Sequence, residues 1–378
     1  MRVPVVSAIV ALVASLPLVG MAGEDVFAFQ GQFLLDPLAV LHTLLVNFVF
    51  LIASIYATGY FSHPQQSSHL SVRYARRFAM LWQGFQLILL TVILSNNIGI
   101  LWVSLEGTTL VSAFLILSES EKLSIEAMWK YLLVCSVGIV FAFIGTILII
   151  AASRGVTGAE SLYLWSDLRA NASQLEPRIT LLAFIFILVG FGTKAGLAPM
   201  HTWLPDAHSQ SPTPVSAVFS GIMLNCALYC IMRYLPIAEG ALGREGQARQ
   251  LVLVFGILSL LIAAVYIPIQ KDIKRLLAYS SIEHIGIMAV GLGIGGLGTC
   301  ACLLHVLGHA CAKPLAFFSA GHIVNAYGTK QLDTIHGAAS RVPLWGKGFL
   351  VALLVLIGIA PFSLFLSEFY IITAAWRA

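Results

Sequence analysis

Six side chains able to carry or exchange a proton, Glu106, Lys194, His305, His309, Lys313 and Glu368, stand inside stretches otherwise dominated by apolar residues. A charge at membrane depth costs at least a few kcal/mol, so it survives only where it faces protein or water. Glu106 is eight residues into its apolar run, about 12 Å along a helix, too deep to reach the headgroups easily. It must be protonated, paired with a cation or hydrated inside the bundle. Lys194 lies in Gly190-Phe-Gly-Thr-Lys-Ala-Gly-Leu-Ala-Pro199, where glycines and a proline interrupt the helix, and carbonyls freed at such a break usually line a cavity. A dry cavity disfavours an ammonium and a nearby carboxylate favours it, so moving the carboxylate would switch the proton on and off. His305, His309 and Lys313 recur every fourth residue and share one helix face. Because imidazole titrates near neutrality, this ladder reads as a proton wire. Pro314 predicts a second helix break, and Glu368, seven residues after Pro361, repeats the combination of break and ionisable group. The bland alternative for each residue is a buried ion pair or a snorkelling side chain.

Other polar groups are less telling. Glu283 and His284 lie deeper than a loop, either interfacial or joining the relay. Asp36 precedes Pro37, which suits the first turn of a helix. Asp206 and His208 follow Pro205 and read as solvated loop residues. His305 and His309 have a metal-ligand spacing, but their helix offers no acidic or third imidazole ligand beside them, so no metal is expected. The cysteines, Cys135, Cys226, Cys230, Cys300, Cys302 and Cys311, form no C-x-x-C pair and read as small apolar residues.

The elements that must position these groups follow from composition. Hydrophobic residues make up 59% of the chain and charged residues 10%, and mean hydropathy is +0.91; a soluble domain carries roughly a quarter charged residues. About eleven apolar runs are long enough to cross a bilayer: Val3–Ala22, Leu34–Tyr60, Phe78–Asn96, Ile98–Leu117, Ala127–Ala152, Ile179–Trp203, Thr213–Leu235, Gln250–Ile269, Leu276–Gly296, Thr299–Asn325 and Leu344–Trp376. The last is too long for one straight span and is expected to break near Pro361. The fold class is therefore all-α, a polytopic transmembrane bundle forming a single domain over 1–378, since lipid-exposed backbone must satisfy itself. The first run, behind Arg2 and before Gly20, Ala22 and Gly23, also fits a secretory signal peptide. With the N-terminus inside, twelve Lys and Arg fall on the cytoplasmic side against seven outside (Arg154, Arg169, Arg178, Arg233, Arg244, Arg249 and Arg377), as the positive-inside rule requires. The net charge of +4 needs no nucleic acid to explain it. The broken span at Lys194 and the later one at Lys313 form a crude internal echo, as in transporters built from inverted repeats.

Three blocks carry a resemblance: Gly192-Thr-Lys-Ala-Gly-Leu-Ala-Pro-Met-His-Thr-Trp-Leu-Pro-Asp-Ala-His208 with Ser211-Pro-Thr-Pro-Val-Ser-Ala217, Gln270-Lys-Asp-Ile-Lys-Arg-Leu-Leu-Ala-Tyr-Ser-Ser281, and His305-Val-Leu-Gly-His-Ala-Cys-Ala-Lys-Pro-Leu315. They resemble the antiporter-like proton-translocating subunits of respiratory complex I, multisubunit sodium/proton antiporters and group 4 hydrogenases. The wording Ala-His-Ser-Gln-Ser-Pro-Thr-Pro and Leu-Asn-Cys-Ala-Leu-Tyr is most similar to hydrogenase-4 component F. The resemblance implies an inverted-repeat architecture with core helices at about 78–376 and a Glu106–Lys194 pair on neighbouring helices. It also implies a central relay of His305, His309 and Lys313, and Glu368 as terminal group. Where the family often has a relay lysine this chain has Asn225, leaving that half-channel to water and to His201 or His208. The family pattern has about one more helix before this N-terminus and further helices after Glu368, so the sequence is either a part or a short variant.

Three functions are compatible with these residues: a proton-translocating subunit of a redox-driven complex, a subunit of a sodium/proton antiporter, and a membrane anchor in which the buried charges are dispensable. No cofactor signature is present, so a redox role implies peripheral partner subunits with iron–sulfur clusters, other membrane subunits beside this one, and residence in the inner membrane.

Overall fold

The computed structural model describes residues 2–62, 72–117, 122–156, 158, 162–243 and 246–377; Arg244, counted above among the outer charges, lies outside them. In chain order the helices of seven residues or more are α1 Arg2–Ser15, α2 Pro37–Ser62, α3 Val72–Leu94, α4 Ile98–Ile116, α5 Lys122–Ala152, α6 Pro177–Ala195, α7 Leu204–Gln210, α8 Thr213–Leu242, α9 Gln247–Tyr266, α10 Ile273–Ile294, α11 Leu297–Tyr327, α12 Pro343–Leu356 and α13 Ser363–Arg377. A small antiparallel hairpin, β1 Val26–Ala28 and β2 Phe33–Leu35, lies between α1 and α2.

Among the described residues ten helices are long and apolar enough to span a bilayer. The eleventh expected span is two helices of 14 and 15 residues, separated at Gly358 and Pro361, where the break was predicted. Several helices outrun their apolar runs: α3 starts at Val72 and carries Arg73, Arg76 and Arg77, and α5 starts at Lys122. Hydropathy stops at the first charge, whereas a helix continues into the interface, where long basic side chains reach water. The expected break at Pro314 is absent. α11 runs unbroken through it for 31 residues, since a proline costs one backbone bond that neighbouring helices in a bundle can offset. The break that echoes the one at Lys194 is thus the one before Glu368.

Capping explains where the key helices begin and stop. Asn97 accepts from Gly99 N and Ile100 N to start α4, and Asp272 accepts from Lys274 N and Arg275 N to start α10. Glu176 with Pro177 at the first helical position starts α6, and Gly196 at φ +82° ends it. The chain then runs irregularly through Pro199 to α7. At the centre sits α8, whose span is wholly buried, flanked by the mostly buried α10 and α11, while α1 and α9 lie at the periphery. α1 rests on α2, with Asn47 donating to Ala11 O at 3.2 Å.

Close approach of α5 and α6 rests on glycine. A Cβ on Gly190 would come within 2.7 Å of both Ala142 Cβ and Gly138 O, so the backbones touch there as small residues allow in membranes. This contact sets the height of Lys194, one turn further along α6.

Candidate functional site

Lys194 is fully buried. Its Nζ donates to Thr109 Oγ1 on α4 at 2.9 Å and to Tyr131 OH on α5 at 2.5 Å, and lies 4.7 Å from the Tyr131 ring centre. The phenol also bonds Ser112 Oγ at 2.6 Å. Glu106 is one turn before Thr109 on α4; its Oε1 accepts from Ser136 Oγ at 2.9 Å, and its Oε2 is buried without a partner. The expected Glu106–Lys194 pairing is therefore not a direct contact. The lysine is instead turned to hydroxyls and the carboxylate to Ser136.

The second cluster joins α10, α11 and α13. His305, His309 and Lys313 are all fully buried on α11. Lys313 Nζ donates to Ser280 Oγ at 2.9 Å and Leu277 O at 3.2 Å. His284 Nδ1 and His305 Nε2 are 2.9 Å apart, and His305 Nδ1 is 2.9 Å from Ser367 Oγ. His284 thus belongs to the buried cluster and is not interfacial. The His309 ring lies tilted beside that of His284, ring centres 5.4 Å apart, and both its nitrogens lack partners. Glu283 is half-buried and feels the charge of Lys313. Half-buried Glu368 folds back against Gly358, where a Cβ would collide with the carboxylate and φ is +68°; glycine is required there on both counts.

Between the clusters lies α8. Ser220 Oγ bonds Ser281 Oγ at 2.7 Å, next in sequence to the Ser280 that holds Lys313. Ser220 lies within the π turn that α8 makes at Phe219–Met223, a distortion common at functional sites. Asn225 is buried, donates to Gly221 O at 2.7 Å and leaves Oδ1 without a partner.

The expectation of a solvated loop at Asp206 and His208 is corrected. His208 is fully buried in α7, with Nδ1 on Leu204 O at 2.8 Å, and burial pushes its imidazole down to about 3. His201 is also depressed by burial and faces Tyr279. Asp206 ties α5 to α10 by accepting from Lys130 at 3.2 Å and Arg275 at 2.8 Å, at the mouth of a cavity of about 300 Å³. Lys274, one of the twelve basic residues assigned to the cytoplasmic side, is buried, with Nζ donating to Ser211 O at 2.7 Å.

Sequence reasoning missed Tyr131, Thr109, Ser112, Ser280, Ser281 and Ser367, the hydroxyls that hold the charged groups. Hydroxyls are ordinary in membrane helices, and only the Ser280–Ser281 pair stood in a quoted block. Arg233, counted as an outer charge, is buried within α8 and bound to Asp36. The cysteines are free; Cys300 and Cys311 are exposed on α11 and the other four are buried.

The chain as a whole is similar to known proteins. Residues 95–378 match the family model described as NADH:quinone oxidoreductase/Mrp antiporter, TM. The chain is 38% identical over 346 residues to a hydrogenase-4 component F homolog of Methylacidiphilum infernorum, covering 91% of this chain and 72% of that one. It is 30% identical over 351 residues to NADH-quinone oxidoreductase subunit N of Desulforudis audaxviator, covering 92% and 67%. Its fold superimposes on a chain of an archaeal membrane-bound sulfane sulfur reductase with a TM-score of 0.85 at 23% identity, covering 98% and 75%. The chain belongs to the transmembrane family of NADH:quinone oxidoreductase and Mrp antiporter subunits.

Proposed function

We propose that this multi-pass inner-membrane protein moves protons within a redox-driven complex, passing them along two buried clusters that meet around α8. The observation that carries the reading is Lys194, fully buried beside a helix break and held only by neutral hydroxyls. An ammonium so placed has lost its hydration, at a cost of several kcal/mol, with no carboxylate in contact. Its proton is therefore governed by charge at Glu106, one turn before Thr109 on α4. With Glu106 ionised the ammonium is favoured; with Glu106 neutralised the proton is released.

From Lys194 the route continues past Asn225 and the Ser220–Ser281 pair to Lys313, then through His309, His284 and His305 to Glu368. His201 and His208 stand near the cytoplasmic mouth and are kept neutral by burial, suited to accepting and passing a proton transiently. The carriers in this route are amines, imidazoles and carboxylates. Amines and imidazoles exchange protons and are poor ligands for a hard alkali cation, which takes oxygen donors; this favours protons over sodium as the ion moved. The relatives named for hydrogenase-4 and NADH-quinone oxidoreductase support membrane subunits as neighbours. Peripheral partners with iron–sulfur clusters would supply the driving redox chemistry.

Lys194→Met should leave the complex assembled and lower coupled proton movement by at least about a hundredfold, the scale of losing a positioned proton-transfer group. Acidification measured in reconstituted vesicles decides it. Unimpaired movement would mean the buried charges only hold the bundle together.

A further inference from the structure

His305 and His309 offer too few ligands along one helix for a metal, but the tertiary fold adds donors from two others. The donor atoms of His284 on α10, His305 on α11 and Glu368 on α13 all lie within 4.8 Å of one another. The two imidazole nitrogens that face each other are 2.9 Å apart. A metal with ligand bonds of about 2.0–2.1 Å needs donors roughly 3.0–3.5 Å apart. The histidine pair already has nearly that spacing, and a rotamer change in half-buried Glu368 supplies the third ligand.

Two further features fit a ligand set. Ser367 Oγ donates to Leu364 O at 2.8 Å, so towards His305 Nδ1 it is an acceptor and the Nδ1 carries the hydrogen. His305 therefore presents a lone pair on Nε2, and its other nitrogen is fixed by a hydroxyl, the support that metal-bound histidines commonly have. His284 needs only to carry its hydrogen on Nε2, which is buried without a partner, to present Nδ1 as a second lone pair. His309, with both nitrogens unpartnered and its ring near His284, stands beside the set as a further donor.

We propose that His284, His305 and Glu368 bind a divalent transition-metal ion of the zinc class, and that the bound ion interrupts proton transfer. The donor set, two imidazoles and one carboxylate, suits zinc or cobalt over magnesium or calcium. Binding takes the lone pairs that would otherwise accept protons, so the ion and the proton compete for the same atoms. This second half rests on the relay reading above; the binding itself does not.

The test uses the intact complex in lipid nanodiscs and in vesicles, with Co²⁺ and Zn²⁺ as probes and Mg²⁺ as control. The parent should take up Co²⁺ with visible ligand-field absorption that Zn²⁺ abolishes. His284→Gln should weaken that binding at least about tenfold, and His284→Cys should retain it with a new thiolate-to-cobalt charge-transfer band. Should His284→Gln not assemble, X-ray absorption at the zinc edge of the parent decides alone: a shell with two imidazoles and an oxygen supports the site, and any other shell overturns it. Identical Co²⁺ spectra in parent and variants also overturn it. In parent vesicles Zn²⁺ should stop proton movement and Mg²⁺ should not. Zinc held by the two histidines with proton movement intact would overturn the interruption and the place of these residues in the relay. No binding, with Lys194→Met still inactive, would overturn the site and leave the relay reading standing.

Discussion

Arg233 grips Asp36 with two hydrogen bonds, of 2.5 and 2.7 Å, and its Nε donates to Tyr229 OH at 2.7 Å. Its guanidinium also lies 4.5 Å from the Trp165 ring centre. Burial works against ionisation of Asp36, but the bonds and charge of Arg233 outweigh it and hold the carboxyl below its ordinary value. A carboxylate lowered in the folded state stabilises fully above its unfolded value, about 3.9, and that stability is lost as pH falls through the lower folded value. Asp36→Asn should therefore cost about 3–5 kcal/mol by leaving a buried arginine unpaired. The parent's unfolding midpoint in detergent should stay flat from about pH 8 to pH 5 and fall only below about pH 4. A step between pH 5 and pH 7 that the variant lacks would refute the assignment. Glu106→Gln should behave in the opposite sense, leaving the midpoint in place while proton movement drops.

The contact between α5 and α6 is the element on which the first cluster depends. Gly190 meets Ala142 and Gly138 backbone to backbone, and Gly138 in turn faces Thr193, the neighbour of Lys194. A valine at Gly190 cannot be accommodated by a side-chain shift, because the atoms it strikes include backbone. The helices would have to part, carrying Lys194 away from Tyr131. Gly190→Val is expected to cost about 1–3 kcal/mol from overpacking and to slow proton movement, although it alters no ionisable group. Proton movement at the parent rate, in a variant that assembles normally, would show that the height of Lys194 is not set by this contact.

Across the whole molecule both clusters reach α8, the first where Tyr131 OH donates to Met223 Sδ at 3.7 Å and the second through the Ser220–Ser281 bond next to the Ser280 that holds Lys313. If they are stages of one path, weakening both should be no worse than weakening the slower one. Thr109→Val removes a neutral partner of Lys194 and Ser280→Ala one of Lys313, each expected to slow proton movement severalfold. The double variant should match the slower single in vesicle assays, a failure of additivity expected when groups act as a unit. Single variants that each remove only their own share of the movement, with the double variant losing the sum of the two shares, would instead point to two independent paths.

The sequence by itself determined that the chain spans a membrane many times, because too few charges exist to make a soluble surface. It also singled out the candidate relay groups, because an ionisable residue in an apolar run is conspicuous. The break near Pro361 was legible for the same reason, since proline and glycine punctuate a helix locally. Tertiary structure alone decided which groups meet. Lys194 turns to Thr109 and Tyr131 and not to Glu106, His208 is buried and not solvated, and α11 passes unbroken through Pro314. It also brought His284 and Glu368 to His305, ligands that no reading along one helix could supply. Hydropathy and spacing report a residue's depth and its face on its own helix. Which neighbouring helix covers that face depends on where small residues such as Gly138 and Gly190 let backbones touch, a property of helix pairs.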